Sequence, residues 1–401
     1  MIAENRRSRA HIDVPLILLV FALALFGVLC VTVATYSTSS SPDESLLNHI
    51  VESSYAMRQV FFLMIAPIII VFLINFPYSF FKRRAALIYY AATALVTVVW
   101  VVNRAEGVKQ WLDIIWGFTI QPTEFAKLAM ILMLASVLSK SERPMSTIKE
   151  FLYIMALVLV PGAVIVFSGE MGSFLVIAFF FAVMLYFSGV SMRTLLLMAG
   201  VAAFGLLAIY GYAVASQSDN YRLMRILAFI NPEAYATSGA YQQTQSKIAI
   251  GSGGLTGIGM FVDGAISQLN YVPADWTDFI YATIGEAFGF AGCAGVLVVY
   301  FLILARMLYL ARFTRDKFGM LVIIGVMAML LFHVFENVAM TIGLMPITGI
   351  PLPFISYGGS NMVTNMGGVG LVLNVTRNRS LAGVVATPQR QANLRRFERR
   401  Y

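Results

Sequence analysis

Three acids crowd one short stretch of the chain, "YVPADWTDFIYATIGEAFGF", residues 271–290. Asp275 and Asp278 stand at the lip of a long apolar run, and Glu286 lies inside it. A carboxylate at the edge of a membrane segment costs little, whereas one a turn or two inside usually faces a cavity or a partner. Asp278 opens a helix at the water boundary, where a carboxylate stays ionised and is placed for acid or base chemistry. Asp275 reads as an exposed loop charge. Glu286, eight residues beyond Asp278, is about 80° round the helix from it. That is too far to share its proton, so Glu286 reads as an element of stability or conformational coupling.

A second constellation is "QPTEFAKLAMILMLA", residues 121–135. Pro122 suits the first position of a helix, where its missing N–H costs nothing. Glu124 and Lys127, spaced i and i+3, share a face of the first turn. Either they form an ion pair that lets two charges enter the membrane edge, or they line a polar cavity and orient a ligand or a catalytic acid. Arg58, Arg104, Lys109, Arg222, Arg225 and Lys247 fall outside or near the same face, mixed with Glu170, Asp263, Asp275 and Asp278. Cations so gathered suit an anion such as a diphosphate, with Arg supplying forked donors and Lys a point charge. Scattered loop charge is the plainer alternative.

Two glycine-bearing stretches complete the inventory. "IAIGSGGLTGIG" lacks the Lys-Ser/Thr that follows a phosphate-binding P-loop and has no strand–helix unit around it, so it reads as re-entrant packing rather than a nucleotide site. "MPITGIPLPFISYGGS", residues 345–360, breaks an apolar pattern with three prolines and three glycines. Irregular backbone at membrane depth is tolerated only against protein or a water-filled cavity, so this break is expected to shape a site. His333 and Glu336, i and i+3 in the preceding run, have no third ligand in view and read as hydrogen bonding inside the bundle.

The elements that must hold these residues are membrane helices. The 401-residue chain is 59% hydrophobic and 12% charged, where a soluble domain keeps roughly 25% charged. Two cysteines, Cys30 and Cys293, both in apolar runs, offer neither a disulfide framework nor a zinc site. The net charge of +8 excludes nucleic acid by its placement, since the basic residues bracket apolar runs. About ten spans are expected, at roughly 14–36, 57–77, 85–103, 122–139, 151–168, 171–188, 193–215, 279–305, 318–342 and 357–376. The fold class is therefore all-α, a polytopic membrane protein of one domain, residues 1–401. It carries a large extracytoplasmic loop at about 216–278 and a short basic cytoplasmic tail at about 377–401. The first run is too long for a signal peptide and reads as a retained helix. Arg and Lys asymmetry puts both termini in the cytoplasm, and the basic tail suits anionic membrane lipids.

"GVKQWLDIIWGFTIQPTEFAKLAMILMLA", "YQQTQSKIAIGSGGLTGIG", "QLNYVPADWTDFIYATIGEAFGF" and "PITGIPLPFISYGGS" together resemble the SEDS family, the shape, elongation, division and sporulation proteins. The match runs in order along essentially the whole chain, and the last motif follows the elongation-type pattern. The resemblance implies a ten-helix peptidoglycan glycosyltransferase of the bacterial inner membrane. Such an enzyme polymerises lipid II at the outer face and pairs with a class B penicillin-binding transpeptidase. The family's essential acid falls on Asp278 in Thr277–Asp278–Phe279, its Gly-x-x-x-Trp loop on Gly107 to Trp111, and its Gln-Pro-Ser-Glu-x-x-Lys motif on Gln121 to Lys127. Departures from the pattern are Gln110 for Arg, Pro273–Ala274–Asp275–Trp276 for Pro-Glu-x-His, Ser168 to Ser173 for Gln-Pro-Asp-x-Gly-Thr, Ala287 for a second Glu, and Asn361 for Ser. They leave an elongation, division or sporulation role open.

Asp278 is thus the expected catalytic residue. Arg58, Lys109, Trp111, Glu124, Lys127, Lys247 and Ser356 are the expected substrate contacts. The chemistry needs a base for an acceptor sugar hydroxyl and cations for the departing lipid diphosphate, in one displacement that turns an α-linked donor into a β-linkage. The cofactor compatible with it is a divalent cation, Mg2+ or Mn2+, neutralising the diphosphate; no protein metal ligands are assigned. Two other classes remain open to the sequence: a flippase or permease working by alternating access, and a structural anchor that recruits a transpeptidase.

Overall fold

The computed structural model describes residues 12–36, 45–102, 110–113, 119–216, 225, 228–231, 234–235, 240–269 and 271–398. Each of the ten expected spans coincides with one long helix. The first four are α1 (Val14–Ala34), α3 (Ser54–Asn75), α4 (Tyr78–Val102) and α5 (Pro122–Leu138), with the short α2 (Leu46–Glu52) between the first two. Then follow α6 (Ile148–Phe167), α7 (Met171–Ser188) and α8 (Met192–Ser216). The short α9 (Tyr241–Ser252) precedes α10 (Ile280–Arg312), α11 (Lys317–Thr341) and α12 (Gly359–Glu398). Seven of these, α1, α3, α4, α6, α7, α10 and α11, are long and apolar enough to cross a membrane by length and composition.

Several helices begin where a side chain satisfies their orphan N–H groups. Asp13 accepts from Leu16 N at 3.1 Å, Ser53 Oγ from Ala56 N at 3.2 Å, and Asp316 Oδ2 from Gly319 N at 3.2 Å. Once started, the helices bury apolar side chains inward and also expose them outward. Met64, Ile68 and Val71 of α3 and Leu87, Val98 and Val102 of α4 all face away from the bundle, as lipid-facing helices must. The core lies along α11, which packs against α5, α7, α10 and α12 and is the most buried of the seven apolar helices.

At the end remote from the long loop, charge pairs tie helices together. Arg306 of α10 forks onto Asp13 at the start of α1, with contacts of 2.8–3.2 Å. Tyr78 and Lys82 of α4 both donate to Asp316, Lys82 at 3.1 Å. Residues 377–398 of the expected tail continue α12, whose 40 residues span about 60 Å, twice a bilayer core of about 30 Å.

Candidate active site

The Pro/Gly-broken segment enters the bundle at the loop end and closes against α1. A Cβ on Gly27 would lie 2.6 Å from Phe354 O, so α1 accepts the segment only with glycine there. Its irregular backbone is satisfied by side chains, as the interior demands. Gln59 Nε2 donates to Ser356 O at 3.2 Å, Arg225 Nη1 to Ile347 O at 3.0 Å, and Tyr300 to Pro353 O. Leu352 N donates to Ser356 Oγ at 2.8 Å, while that hydroxyl donates to Thr277 O at 2.6 Å. Asn337 Nδ2 donates to both Ile350 O and Asp278 O, at 2.8 and 2.7 Å.

These bonds fasten the acid-bearing turn to the broken segment. Asp278 is half-buried, and its carboxylate lies beside Gly349, where a Cβ would come within 3.2 Å of Oδ2. Gly349 also has φ +73°, a conformation that glycine adopts without strain. Burial pushes the Asp278 carboxyl up to about 6, against the opposing pull of the Arg225 guanidinium.

Asp275 overturns its expected exposure. It is fully buried, and neither carboxyl oxygen has a hydrogen-bond partner. Ala274 takes φ +62° and turns the chain. Trp276 stacks on Tyr55 at 5.2 Å between ring centroids, and its carbonyl accepts from Tyr357 N at 2.9 Å. The tryptophan is thereby fixed at the surface of the bundle while its neighbour is carried inward. Burial, with Glu286 nearby, raises the Asp275 carboxyl to about 8.

The Glu286 carboxylate accepts from Ile266 N at 2.6 Å and Ser267 N at 3.0 Å. The glycine-rich stretch packs backbone to backbone on a kink of α10. There Gly289 has φ +65°, Phe290 N donates to Gly254 O at 2.9 Å, and Ile258 N donates to Glu286 O at 2.9 Å. A Cβ on Gly253 would sit 1.9 Å from Gly285 O and one on Gly257 2.2 Å from Ala287 O, so the stretch meets α10 through these two glycines.

Glu124 and Lys127 do form an ion pair, Nζ to Oε1 at 2.7 Å, and both are buried. Lys127 Nζ also lies 2.9 Å from His333 Nε2, while His333 Nδ1 lies 2.7 Å from Met329 O. With the carbonyl taking the Nδ1 proton, Nε2 is left to accept from the ammonium, a tautomer assigned from its partners. Thr123 Oγ1 donates to Glu170 Oε1 at 2.8 Å, and burial raises the Glu170 carboxyl above its usual range. Glu336, one turn along α11 from His333, accepts from Thr348 Oγ1 at 3.0 Å. The α5 pair therefore meets the Asp278 turn through α11 and the broken segment.

The other expected contacts spread outward. Lys247 is exposed on α9, its ammonium over Gly343 just past the C-terminus of α11, a favourable end for a cation. Arg58 is half-buried on α3 beside Gln59. Trp111 is exposed at the foot of a two-stranded hairpin, Leu112–Asp113 with Thr119–Ile120. Lys109, Arg104 and Arg222 lie outside the described residues. Ser356 is buried with its hydroxyl committed to two backbone groups, which makes it a positioning residue as placed. Asn337 was absent from the expected set, although "HVFEN", residues 333–337, is an unusually polar run for a span. Among the described residues no three His, Cys, Asp or Glu side chains converge to hold a metal ion.

The fold and site define a multi-pass membrane protein with its polar centre at the loop end of the bundle. The model for the "Cell cycle protein" family, FtsW/RodA/SpoVE, matches residues 14–381, and the chain belongs to that family. It is similar to the peptidoglycan glycosyltransferase MrdB of Escherichia coli K12, 29% identical over 376 residues that cover 93% of this chain and 96% of that one. It is also similar to a probable peptidoglycan glycosyltransferase FtsW of Bacillus subtilis, 31% identical over 375 residues, 91% and 90% of the two chains. A chain of a solved peptidoglycan synthase complex, described as coordinating polymerization and crosslinking, superposes with a TM-score of 0.74. It is 28% identical, with 92% of this chain and 98% of that one covered.

Proposed function

We propose that this peptidoglycan glycosyltransferase polymerises lipid II for cell elongation, beside a class B penicillin-binding transpeptidase, with Asp278 as its general base. The observation that carries the reading is the Asp278 carboxylate, half-buried against Gly349 and raised by burial to about 6. A base so poised is ionised at neutral pH yet basic enough to take a proton as the bond forms.

In the reaction, Asp278 removes the proton from the acceptor sugar hydroxyl as its oxygen bonds to the donor's anomeric carbon. The bond from that carbon to the lipid diphosphate breaks, and its electron pair leaves with the diphosphate. Inversion at the carbon gives the β-linkage. Arg225, whose charge already acts on Asp278, is suited to receive the diphosphate with Lys247, Arg58 and Lys109. Trp111 offers an exposed aromatic face to a sugar. Lys127, paired with Glu124, ties α5 to His333 of α11 and so supports the turn from behind.

The elongation role rests on "PITGIPLPFISYGG", and the transpeptidase partner on the likeness to the synthase complex. The basic-residue asymmetry supports placing both termini in the cytoplasm of a bacterial cell and the loop end outside. Cysteines replacing Leu255 and Lys140 in a Cys-free chain should react oppositely with an impermeant thiol reagent, Leu255→Cys from outside. The activity is tested with purified lipid II, with and without the transpeptidase. The expected glycan polymer should form at a rate that falls as pH drops through about 6, the Asp278 value. Lipid II moved across liposomes with no polymer formed would replace the enzyme reading by a transporter.

A further inference from the structure

Asn337 occupies a position that nothing in the motif reading assigns. It is fully buried on α11, the most buried of the apolar helices. Its single amino group has two hydrogens, and the structure uses both. One goes to Asp278 O at 2.7 Å, the backbone of the residue that carries the base. The other goes to Ile350 O at 2.8 Å, one residue beyond the glycine against which the base packs. Its neighbour Glu336 receives Thr348 Oγ1 at 3.0 Å, one residue before that glycine. Adjacent residues of one rigid helix therefore grip Thr348 and Ile350 on either side of Gly349, and one of them also grips Asp278.

We propose that Asn337 is a positioning residue for the glycosyl transfer, setting the Asp278 carboxylate against Gly349 by holding both backbones on one side-chain amide. The inference rests on Asp278 being the base. The backbone of Asp278 and the segment behind its carboxylate share one anchor, so the point from which the carboxylate springs keeps its place against Gly349. Only an amino group does this, because both partners are carbonyl oxygens and each needs a donor. Aspartate at 337 keeps the shape but presents acceptors to acceptors. Leucine keeps much of the volume but leaves two carbonyls without their donor.

The experiment compares Asn337→Asp, Asn337→Leu and Gly349→Ala with the wild-type full chain. Lipid II polymerisation is measured across pH, lipid II retention by a binding assay, and folding by thermal midpoint in detergent. Gly349→Ala is the second route to the same displacement, since its Cβ would meet Asp278 Oδ2 at 3.2 Å at a φ of +73°. The expected result is a kcat lowered by about a hundredfold, the scale of a 1 Å misplacement of a catalytic group. KM and lipid II retention should be unchanged, and the acid midpoint of the rate profile should move in the folded variants. A merely structural role would lower the folded amount and leave kcat per folded molecule and that midpoint where they are. If Asn337→Asp and Asn337→Leu do not accumulate, Asn337→Gln, which keeps both N–H donors on a longer arm, decides by the same kcat and midpoint readings. A wild-type kcat and midpoint in folded variants would overturn the proposal while Asp278→Asn remained inactive. Activity in Asp278→Asn would instead overturn the assignment of the base.

Discussion

Lys127 Nζ stands 2.7 Å from Glu124 Oε1 with both side chains sealed from solvent, and the same ammonium reaches His333 across the α5–α11 interface. A buried pair of this kind is costly to break from one side, because the remaining charge has lost its partner. The penalty is about 3–5 kcal/mol for a single removal, and replacing both members is often close to neutral. Glu124→Gln and Lys127→Met should each lower the thermal midpoint and polymerisation strongly, and the double variant should lose no more than either single. Losses that add would mean two independent residues rather than one unit.

Glu286 takes two backbone N–H groups, those of Ile266 and Ser267. In Glu286→Gln one acceptor oxygen becomes a donor, so one buried N–H goes unpaired at a cost of about 1–3 kcal/mol. Amide hydrogen exchange at Ile266 and Ser267 should accelerate, while the glycosyl transfer step remains measurable. Abolished polymerisation with unchanged exchange would give Glu286 a chemical rather than a structural part.

The glycines of residues 253–257 should be unequal. On Gly253 a Cβ would lie 1.9 Å from Gly285 O and on Gly257 2.2 Å from Ala287 O, both backbone atoms, whereas Gly254 has open space. Gly253→Ala and Gly257→Ala should destabilise strongly by forcing the loop off α10. Gly254→Ala should cost only about 1–2 kcal/mol, for its φ of +54°. Thermal midpoints of the three variants give the order directly.

Asp275 makes stability depend on pH. Its folded value is raised from 3.8 to about 8, so the folded state holds a proton that the unfolded state has already lost. Stability from this group is fully present below about 3.8 and falls as pH rises to about 8. Asp275→Asn, which keeps the neutral shape, should therefore melt higher than wild type at pH 8, with the difference shrinking toward pH 4. A difference that grew on acidification would contradict the buried neutral form.

Much of the bundle was legible because membrane spans announce themselves by length and apolarity, and Val14–Ala34 or Lys317–Thr341 needs no partner to be recognised. Glu124 and Lys127 were also legible as a pair, since i, i+3 spacing on a helix is local. What the chain hid was set by long-range docking. Lys127 meets His333 across 206 positions, and Asp275 is buried because Tyr55 and Tyr357 fix its neighbour Trp276. The place of Asp275 in a loop at the lip of a span suggests water, and the turn at Ala274, with φ +62°, sends it inward. Ser356 looked like a substrate contact from its motif, yet its hydroxyl is used on Thr277 and Leu352. Asn337 was invisible as a site residue because its two carbonyl partners belong to different segments.

The central claim, that Asp278 is the base, is tested most directly by polymerisation of purified lipid II with Asp278→Asn. The substitution is nearly isosteric and leaves the Asn337 bond to the backbone carbonyl in place. The protein should fold, insert in the membrane, pair with its transpeptidase and bind lipid II, yet form no glycan strand at any pH. Polymer made at near wild-type rate by the well-folded variant would contradict the account.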